Sequence, residues 1–167
     1  MRIIGVDPGT RHLGWGVVNC EGTRLKCVGC GVVHMAQTMV LAERLVRIDQ
    51  ELGKLIGQYC PDEGAVEAIF FAKDAQAASK LGHARGVALL ALARAGLPIG
   101  EYEPTRVKRA VVGRGRADKV QVGLMVKAIL GMGDVVELDA SDALAVAITH
   151  AQYSHVDRVM RRSGVLR

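Results

Sequence analysis

The first 35 residues hold three apolar runs in close succession, and this arrangement restricts the fold more than any other feature of the sequence. The runs occupy residues 2–7, 13–19 and 24–34, and each has the length and composition of a β-strand. Pro8-Gly9 ends the first run, and Cys20-Glu21-Gly22-Thr23 separates the other two like a hairpin connection. Because short turns join antiparallel neighbours, the sequence predicts an antiparallel three-stranded meander.

Helical periodicity follows the meander and alternates with two further strands. The predicted helices cover residues 39–59, 74–95, 105–112, 118–130 and 139–153. The predicted strands are the short apolar runs 64–71 and 97–102. Asp118 is the expected N-cap of the helix that begins there. The order predicts an α/β fold: a five-stranded mixed sheet, made of the antiparallel meander plus parallel βα units, with helices on both faces.

The chain's 167 residues suffice for one domain, expected over residues 1–155 and followed by a basic C-terminal tail over 156–167. The tail has two interpretations, a DNA-contacting arm or a solubilising end. The longest run of small apolar residues, 86–93, has eight residues, against about 20 for a membrane span. Asp7 and Pro8 interrupt the N-terminal apolar run, so we expect no signal peptide. These features predict a cytoplasmic protein with no membrane partner and with reduced cysteines.

Positive charge is concentrated in residues 104–127, which hold seven Lys or Arg residues against one Asp. This stretch carries a net charge of +6, whereas the whole chain carries +5, so the remaining residues are close to neutral. A single basic stretch in a balanced chain favours a polyanionic partner. The alternative is an ordinary solvated face on a basic protein.

Four carboxylates stand in apolar surroundings, where an unpaired charge is costly. Asp7 ends the first apolar run, and Glu67 lies in the middle of Ala-Val-Glu-Ala-Ile. Asp139 and Asp142 open an apolar helix, and their i,i+3 spacing places them on one face of its first turn. A hard divalent cation, Mg²⁺ or Mn²⁺, shared among acids from separate elements would account for all four.

Each acid also has an explanation that involves no metal. Asp139 or Asp142 can cap its helix. Glu67 can pair with a buried arginine such as Arg85, and Asp7 can form an Asx-turn. The sequence alone does not decide whether the four side chains converge.

The cysteines and histidines offer no clear second metal site. Cys27 and Cys30 have Cys-x-x-Cys spacing, but residues three apart on a strand point to opposite faces. We therefore interpret them as small buried thiols rather than zinc ligands. The five histidines show no ligand spacing, and only His83 lies close to the predicted site in the sequence.

Four segments, in chain order, resemble the motifs of one family. They are DPGT followed by GWG at 7–16, EAIF followed by AK and KLGHARG at 67–86, VK, VVG and KVQV at 107–122, and DASDALAVAITH at 139–150. Together they resemble the RuvC Holliday-junction resolvases of the RNase H-like superfamily. The shared order and the span from residue 1 to about 150 make the resemblance specific, whereas DPGT alone would be weak.

The resemblance implies an RNase H-like nuclease domain and a homodimer that cuts four-way DNA junctions to 5′-phosphate and 3′-hydroxyl ends in recombination and repair. It implies two Mg²⁺ ions per active site, with Mn²⁺ as a possible substitute, bound by Asp7, Glu67, Asp139 and Asp142. It also implies a branch-migration motor as a partner. A two-fold dimer suits this substrate, because a junction presents two symmetric strands to two identical sites.

Further residues are matched to DNA contacts. Phe70 matches an aromatic residue that stacks on a base at the junction centre, although a place in the core for both Phe70 and Phe71 is the alternative. Lys108 and Lys119 match lysines near the scissile strand, and Lys119 is expected to stabilise the transition state unless it is a plain surface lysine. The remaining assignments to DNA are Lys73, Arg85, Arg114 and Arg116, the last two in a glycine-containing basic loop.

Asp74 departs from the family pattern, since some members carry Asn there, and we assign it no phosphate contact. Three other functions stay open at this point. A related RNase H-like nuclease acting on RNA–DNA hybrid or structured RNA would share the acids. An idle junction-binding module would not need them. An actin-like ATPase needs two such domains, for which the chain is too short.

Overall fold

The computed structural model describes residues 1–68, 75–133 and 136–162, with side chains described up to Ser154. Within these residues the chain forms five strands and five helices. The strands are β1 (Arg2–Asp7), β2 (His12–Glu21), β3 (Arg24–His34), β4 (Glu63–Glu67) and β5 (Ile99–Tyr102). The helices are α1 (Leu41–Tyr59), α2 (Ala75–Arg94), α3 (Pro104–Val112), α4 (Lys119–Leu130) and α5 (Leu138–Arg162).

The five strands form one mixed sheet in the order β3-β2-β1-β4-β5. β1, β2 and β3 pair antiparallel, which confirms the predicted meander. β4 runs parallel to β1 on one side and to β5 on the other. Parallel neighbours need a crossover, and α1 and α2 provide the two crossovers. The predicted fold class is therefore confirmed.

Side chains that alternate along the central strand divide the core into two layers. Ile4 and Val6 of β1 face a layer built with α1 and α2. Ile3 faces the opposite layer, which α3, α4 and the buried helix α5 complete. By the same alternation Asp7 lies on the α5 side of the sheet, and so does Glu67, two residues beyond buried Ala65. The strand period thus directs both acids toward the helix that carries the other two.

Two glycines bring α5 unusually close to the sheet. A β-carbon at Gly5 would collide with the backbone carbonyl of Ala143, and one at Gly14 would collide with that of Asp139. Any side chain at these positions would push the helix outward. The glycine at residue 14 therefore fixes how near the first turn of α5 lies to the end of β1.

Several predicted boundaries differ from the structure. β4 ends at Glu67 and does not include Ala68; the remainder of the predicted strand, 69–71, lies outside the described residues. α5 continues to Arg162, beyond the predicted end at Tyr153 and across the predicted domain boundary at 155. That boundary and the role of the tail stay predictions. Asp118 is the N-cap of α4, as predicted, and accepts a 2.8 Å hydrogen bond from the backbone N–H of Gln121.

The prediction that Cys27 and Cys30 point to opposite faces is wrong. A β-bulge shifts the β2–β3 register, so that Val18 pairs with Cys27 whereas Val17 pairs with Gly29. The extra residue, Val28, returns both thiols to the α5 face, where they hydrogen-bond to each other. This bond lowers the pKa of Cys30 to about 7, and both cysteines are free thiols.

Candidate active site

Asp7 and Glu67 meet at one edge of the sheet because they end neighbouring parallel strands. Val6 of β1 is in register with Val66 of β4, so the next residue on each strand emerges at the same place. Both side chains are half-buried. They are hydrogen-bonded to each other, which carboxylates can do only if one of them keeps its proton.

The first turn of α5 supplies the other two acids. Asp139 and Asp142 lie on one face of this turn, which Gly14 allows to approach the sheet. Carboxylate oxygens of Asp7, Asp139 and Asp142 all lie within 4.8 Å of one another, and all three residues are half-buried. The structure thus brings together the four acids that the sequence singled out, with Glu67 joined to the group through Asp7.

Two lysines face these acids. Nζ of Lys119, the first residue of α4, donates a 2.7 Å hydrogen bond to Oδ2 of Asp142, which raises the pKa of Lys119. Lys108 on α3 interacts electrostatically with Glu67. Both lysines line a cleft of about 240 Å³ together with Asp7, Glu67 and Asp142. A larger cavity of about 490 Å³ lies between the β2–β3 hairpin and the end of α4, and its lining includes none of the four acids.

Burial, together with repulsion among the acids, changes the protonation of Asp7 and Glu67. Burial, followed by the charges of Glu67, Asp142 and Asp139, raises the pKa of Asp7 to about 8. Burial and the charge of Asp142 also raise the pKa of Glu67. The cleft therefore holds more negative charge than Lys119 and Lys108 neutralise. An all-oxygen donor set with surplus negative charge fits a hard divalent cation.

The observed contacts of the acids can be compared with the alternative explanations for their burial that involve no metal. Arg85 forms an ion pair with Glu101, so the suggested Glu67–Arg85 pair is wrong. Asp142 binds Lys119, and Asp139 accepts a 3.3 Å hydrogen bond from His12.

The other predicted DNA contacts lie in different places. Arg114 and Arg116 are exposed in the turn between α3 and α4, next to the cleft lysines in the chain. Arg85 lies on α2 and is engaged with Glu101. His83 also lies on α2, on the α1-facing surface with Leu45 and Leu90, away from the acid cleft. The remaining assignments, Phe70, Lys73 and the unassigned Asp74, lie outside the described residues.

Sequence reasoning missed His12, which contacts Asp139 directly. Single residues without ligand spacing give no signal in a sequence. The predicted second strand begins at residue 13, one residue after His12, so the predicted meander does not include it. In the structure the β2–β3 pairing extends to His12 and His34, and His12 lies beside Asp139.

Fold and site together define a class. The fold is RNase H-like, and a cluster of carboxylates at the carboxyl ends of two central strands, completed from a helix and flanked by lysines, is the arrangement expected of a metal-dependent nuclease.

A family model described as "Crossover junction endodeoxyribonuclease RuvC" matches residues 3–150, and this chain belongs to that family. It is 52% identical over 164 residues to the crossover junction endodeoxyribonuclease RuvC of Sorangium cellulosum, covering 98% of this chain and 92% of that protein. The chain is therefore an endodeoxyribonuclease, and the sequence-based family prediction is confirmed.

Two solved structures from Thermus thermophilus are similar along most of the chain. The RuvC structure aligns with a TM-score of 0.85 at 37% identity and covers 94% of this chain and 97% of its own. RuvC in complex with a Holliday junction substrate aligns with a TM-score of 0.85 at 35% identity, covering 93% and 96%. No helix in the described part of the chain is both long and apolar enough to cross a bilayer.

Proposed function

We propose that this RuvC-family endonuclease resolves four-way DNA junctions by metal-dependent nicking at the cleft formed by Asp7, Glu67, Asp139 and Asp142. The observation that carries the proposal is the convergence of these acids, within a chain whose family acts on crossover junctions. Resolution of junctions in recombination and repair is the function of the chain; the assignment of individual residues is our inference.

The four acids are proposed to hold two Mg²⁺ ions, with Mn²⁺ as a possible substitute. When bound, such a pair of cations lowers the pKa of a water and stabilises the departing oxygen of a phosphodiester. Asp7 would be central to holding the cations, because it stands between Glu67 on one side and the α5 acids on the other. A carboxyl group must lose its proton to bind a cation, so the proton that Asp7 and Glu67 share is released on loading.

Lys119 supports the reaction from the other side of the cleft. Its ammonium group lies 2.7 Å from Asp142, at the place where the acids surround the cleft. A phosphate entering there gains negative charge in the transition state, and a fixed positive charge stabilises that state more than the ground state. Lys108 is proposed to bind a neighbouring phosphate of the same strand, since it lines the same cleft.

The turn between α3 and α4 is the proposed track for the DNA backbone. Arg114 and Arg116 are exposed there, and Gly113 ends α3 in the left-handed conformation, so the turn leaves the helix sharply. Phe70 as a base-stacking wedge and Lys73 as a phosphate contact follow from the family resemblance. A contact from Arg85 to DNA would require its pair with Glu101 to open.

A homodimer is proposed because a junction has two symmetric strands and the chain has one acid cleft. The surface of α1 and α2 supports this proposal. Val46 and Leu90 are more than half exposed there, at 55% and 53%. Gly82 and Gly86, one turn apart, have open space at the β-carbon position, so a second helix can approach closely. The branch-migration motor and a cytoplasmic location stay predictions from the sequence.

An end-labelled synthetic four-way junction tests the proposal, compared with matched duplex and with RNA–DNA hybrid. We expect paired symmetric nicks on the junction alone, only with Mg²⁺ or Mn²⁺, and none with Asp7→Asn. Asp49→Asn is the matched control, because Asp49 is an aspartate on α1 whose only described role is a surface ion pair with Arg94. Cleavage of the hybrid with the junction intact would move the function to the RNA-directed alternative.

A further inference from the structure

The histidine at the start of β2 makes a contact that the reaction described above does not use. Nδ1 of His12 lies 3.3 Å from Oδ2 of Asp139. We propose that His12 is a positioning residue that holds the Asp139 carboxylate in its metal-binding orientation. This inference rests on the proposed role of Asp139 as a metal ligand.

His12 is itself held by a second histidine across the hairpin. His12 and His34 are a register pair at the open end of the β2–β3 ladder. Their rings meet edge to face, with centroids 5.1 Å apart and planes inclined by 69°. Nε2 of His34 lies 3.2 Å from Oε2 of Glu137, two residues before Asp139. The β2–β3 hairpin therefore contacts the start of α5 at two points, through His12 and through His34.

Hydrogen-bond chemistry determines which atom donates and which accepts between His12 and Asp139. A carboxylate only accepts, so Nδ1 of His12 carries the hydrogen and donates it to Oδ2. The bond occupies one lone pair of one oxygen and leaves the other oxygen of Asp139 free for a cation. Without it the carboxylate can rotate about its side-chain bonds, and the four acids lose part of their shared geometry.

The expected effect is on metal affinity rather than on folding. The side chains of His12 and Asp139 are 53% and 34% exposed, and exposed pairs of this kind add little to stability. Partners that orient a metal ligand from outside the coordination sphere change metal affinity by about 10- to 100-fold when removed. The exposure of this pair places the expected loss near the lower value, about tenfold.

The test compares His12→Ala with His12→Asn, whose side-chain amide can donate from nearly the same position as Nδ1. Glu21→Ala is the matched control, because it removes an exposed 2.9 Å hydrogen bond with Asn19 at the opposite end of β2. Mn²⁺ binding is measured by titration calorimetry on the protein without DNA. Junction cleavage as a function of Mg²⁺ concentration, and thermal unfolding in EDTA, are measured on the same samples.

We expect His12→Ala to weaken Mn²⁺ binding about tenfold and to raise the Mg²⁺ concentration for half-maximal cleavage by a similar factor. His12→Asn should recover most of both, and Glu21→Ala should match the wild type. Unfolding temperatures in EDTA should be equal for His12→Ala and Glu21→Ala. Wild-type Mn²⁺ affinity in His12→Ala would overturn the proposal, as would an equal loss in both His12 variants accompanied by lower thermal stability. If the wild type binds Mn²⁺ at the acids but cuts no junction, the proposed function fails while the positioning role stands.

Discussion

Helix α5 presses two polar clusters against the same face of the sheet, and they differ in how their charges are satisfied. At its first turn, Asp139 and Asp142 meet Asp7 at the end of β1. Further along, Nδ1 of His150 is hydrogen-bonded to the Tyr102 hydroxyl at 2.9 Å. Nε2 of the same ring donates a 2.8 Å hydrogen bond to the Glu63 carboxylate. The polar groups of this second cluster bond to one another within the protein, and we call it the closed cluster. The acids around Asp7 form the open cluster, whose charges have too few partners in the protein.

The two glutamates of β4 show the contrast most directly. Glu63 begins the strand and has a basic partner in His150. Glu67 ends it and has a hydrogen bond with another acid, Asp7. A hydrogen bond from a ring nitrogen to a carboxylate stabilises the first arrangement, whereas the second is tolerated only with a retained proton or an added cation. We infer that one cluster stabilises the fold, whereas the other, the proposed cation site, costs stability through repulsion among its acids.

The largest expected effect comes from removing the central acid. Asp7→Asn keeps the side-chain shape but removes the carboxyl group that a cation would bind at the centre of the acids. We expect junction cleavage to fall by at least about 10³-fold, because both the cation site and the transition state depend on that carboxylate. Junction binding should persist, since Asp7 holds a proton near neutral pH in the metal-free protein and the exposed basic residues are unchanged. Single-turnover cleavage and gel-shift binding measure the two effects, and near-normal cleavage would show that Asp7 is not a ligand.

Breaking the closed cluster should affect stability instead of catalysis. His150→Ala removes the partner of Glu63 and one hydrogen bond of Tyr102 in a buried setting. The free energy of unfolding is expected to fall by about 3 kcal/mol. The cleavage rate per folded molecule should stay at the wild-type value.

Urea unfolding checks the effect of His150→Ala, with Asp49→Ala as the control that removes only an exposed ion pair with Arg94. The control should change stability by less than about 1 kcal/mol. A variant at His150 that unfolds like the control would contradict the role given to this cluster.

Lys119 pairs with an acid of the open cluster but is largely exposed. Replacing it therefore tests what its charge contributes to cleavage with little effect on folding stability. Lys119→Ala is expected to slow cleavage by about 10²-fold, because the cleft loses its nearest positive charge. Stability should be nearly unchanged. Lys54→Ala is the matched control, since Lys54 forms an exposed 2.8 Å pair with Glu51 on α1. Equal rates in the two variants would reduce Lys119 to a surface lysine.

The smallest effect concerns pH in the absence of metal. The pKa of Asp7 is raised to about 8 in the folded protein, so the folded state keeps a proton that the unfolded state releases near its ordinary pKa, about 4. The folded state binds more protons between these values, and its stability therefore falls as pH rises from about 4 through about 8. Asp7→Asn lacks this loss. It should exceed the wild type in stability by at least about 1 kcal/mol at pH 8 and match it near pH 4.

Denaturant unfolding in EDTA at both pH values checks this prediction. A difference between Asp7→Asn and wild type that does not change with pH would mean that Asp7 is ionised in the folded protein throughout. Adding Mg²⁺ should stabilise the wild type more at pH 8 than at pH 5, because fewer protons then compete with the cation.

The features predicted from sequence are those written in local patterns. Apolar alternation predicted the meander, and helical period predicted the positions of the helices to within a few residues at most ends. The four acids were found because each is a charged residue in an apolar segment, and strand and helix periods then decide which way each one points.

The features that were missed depend on register and on contacts between distant segments. A single bulged residue, Val28, reversed the expected facing of Cys27 relative to Cys30. The partner of Arg85 is on β5, and the partner of His12 is on α5, and no local pattern indicates either pairing. Such pairs become visible only once helices and strands have been placed against one another.

The most direct test of the central claim is to locate the cation. Crystals grown with Mn²⁺ and measured for anomalous scattering would place the ion independently of any activity. We expect Mn²⁺ at coordinating distance from Asp7, between Glu67 and the acids of the first turn of α5, and no ion at Glu63 and His150. An anomalous peak elsewhere, with the four carboxylates left without a cation, would contradict it.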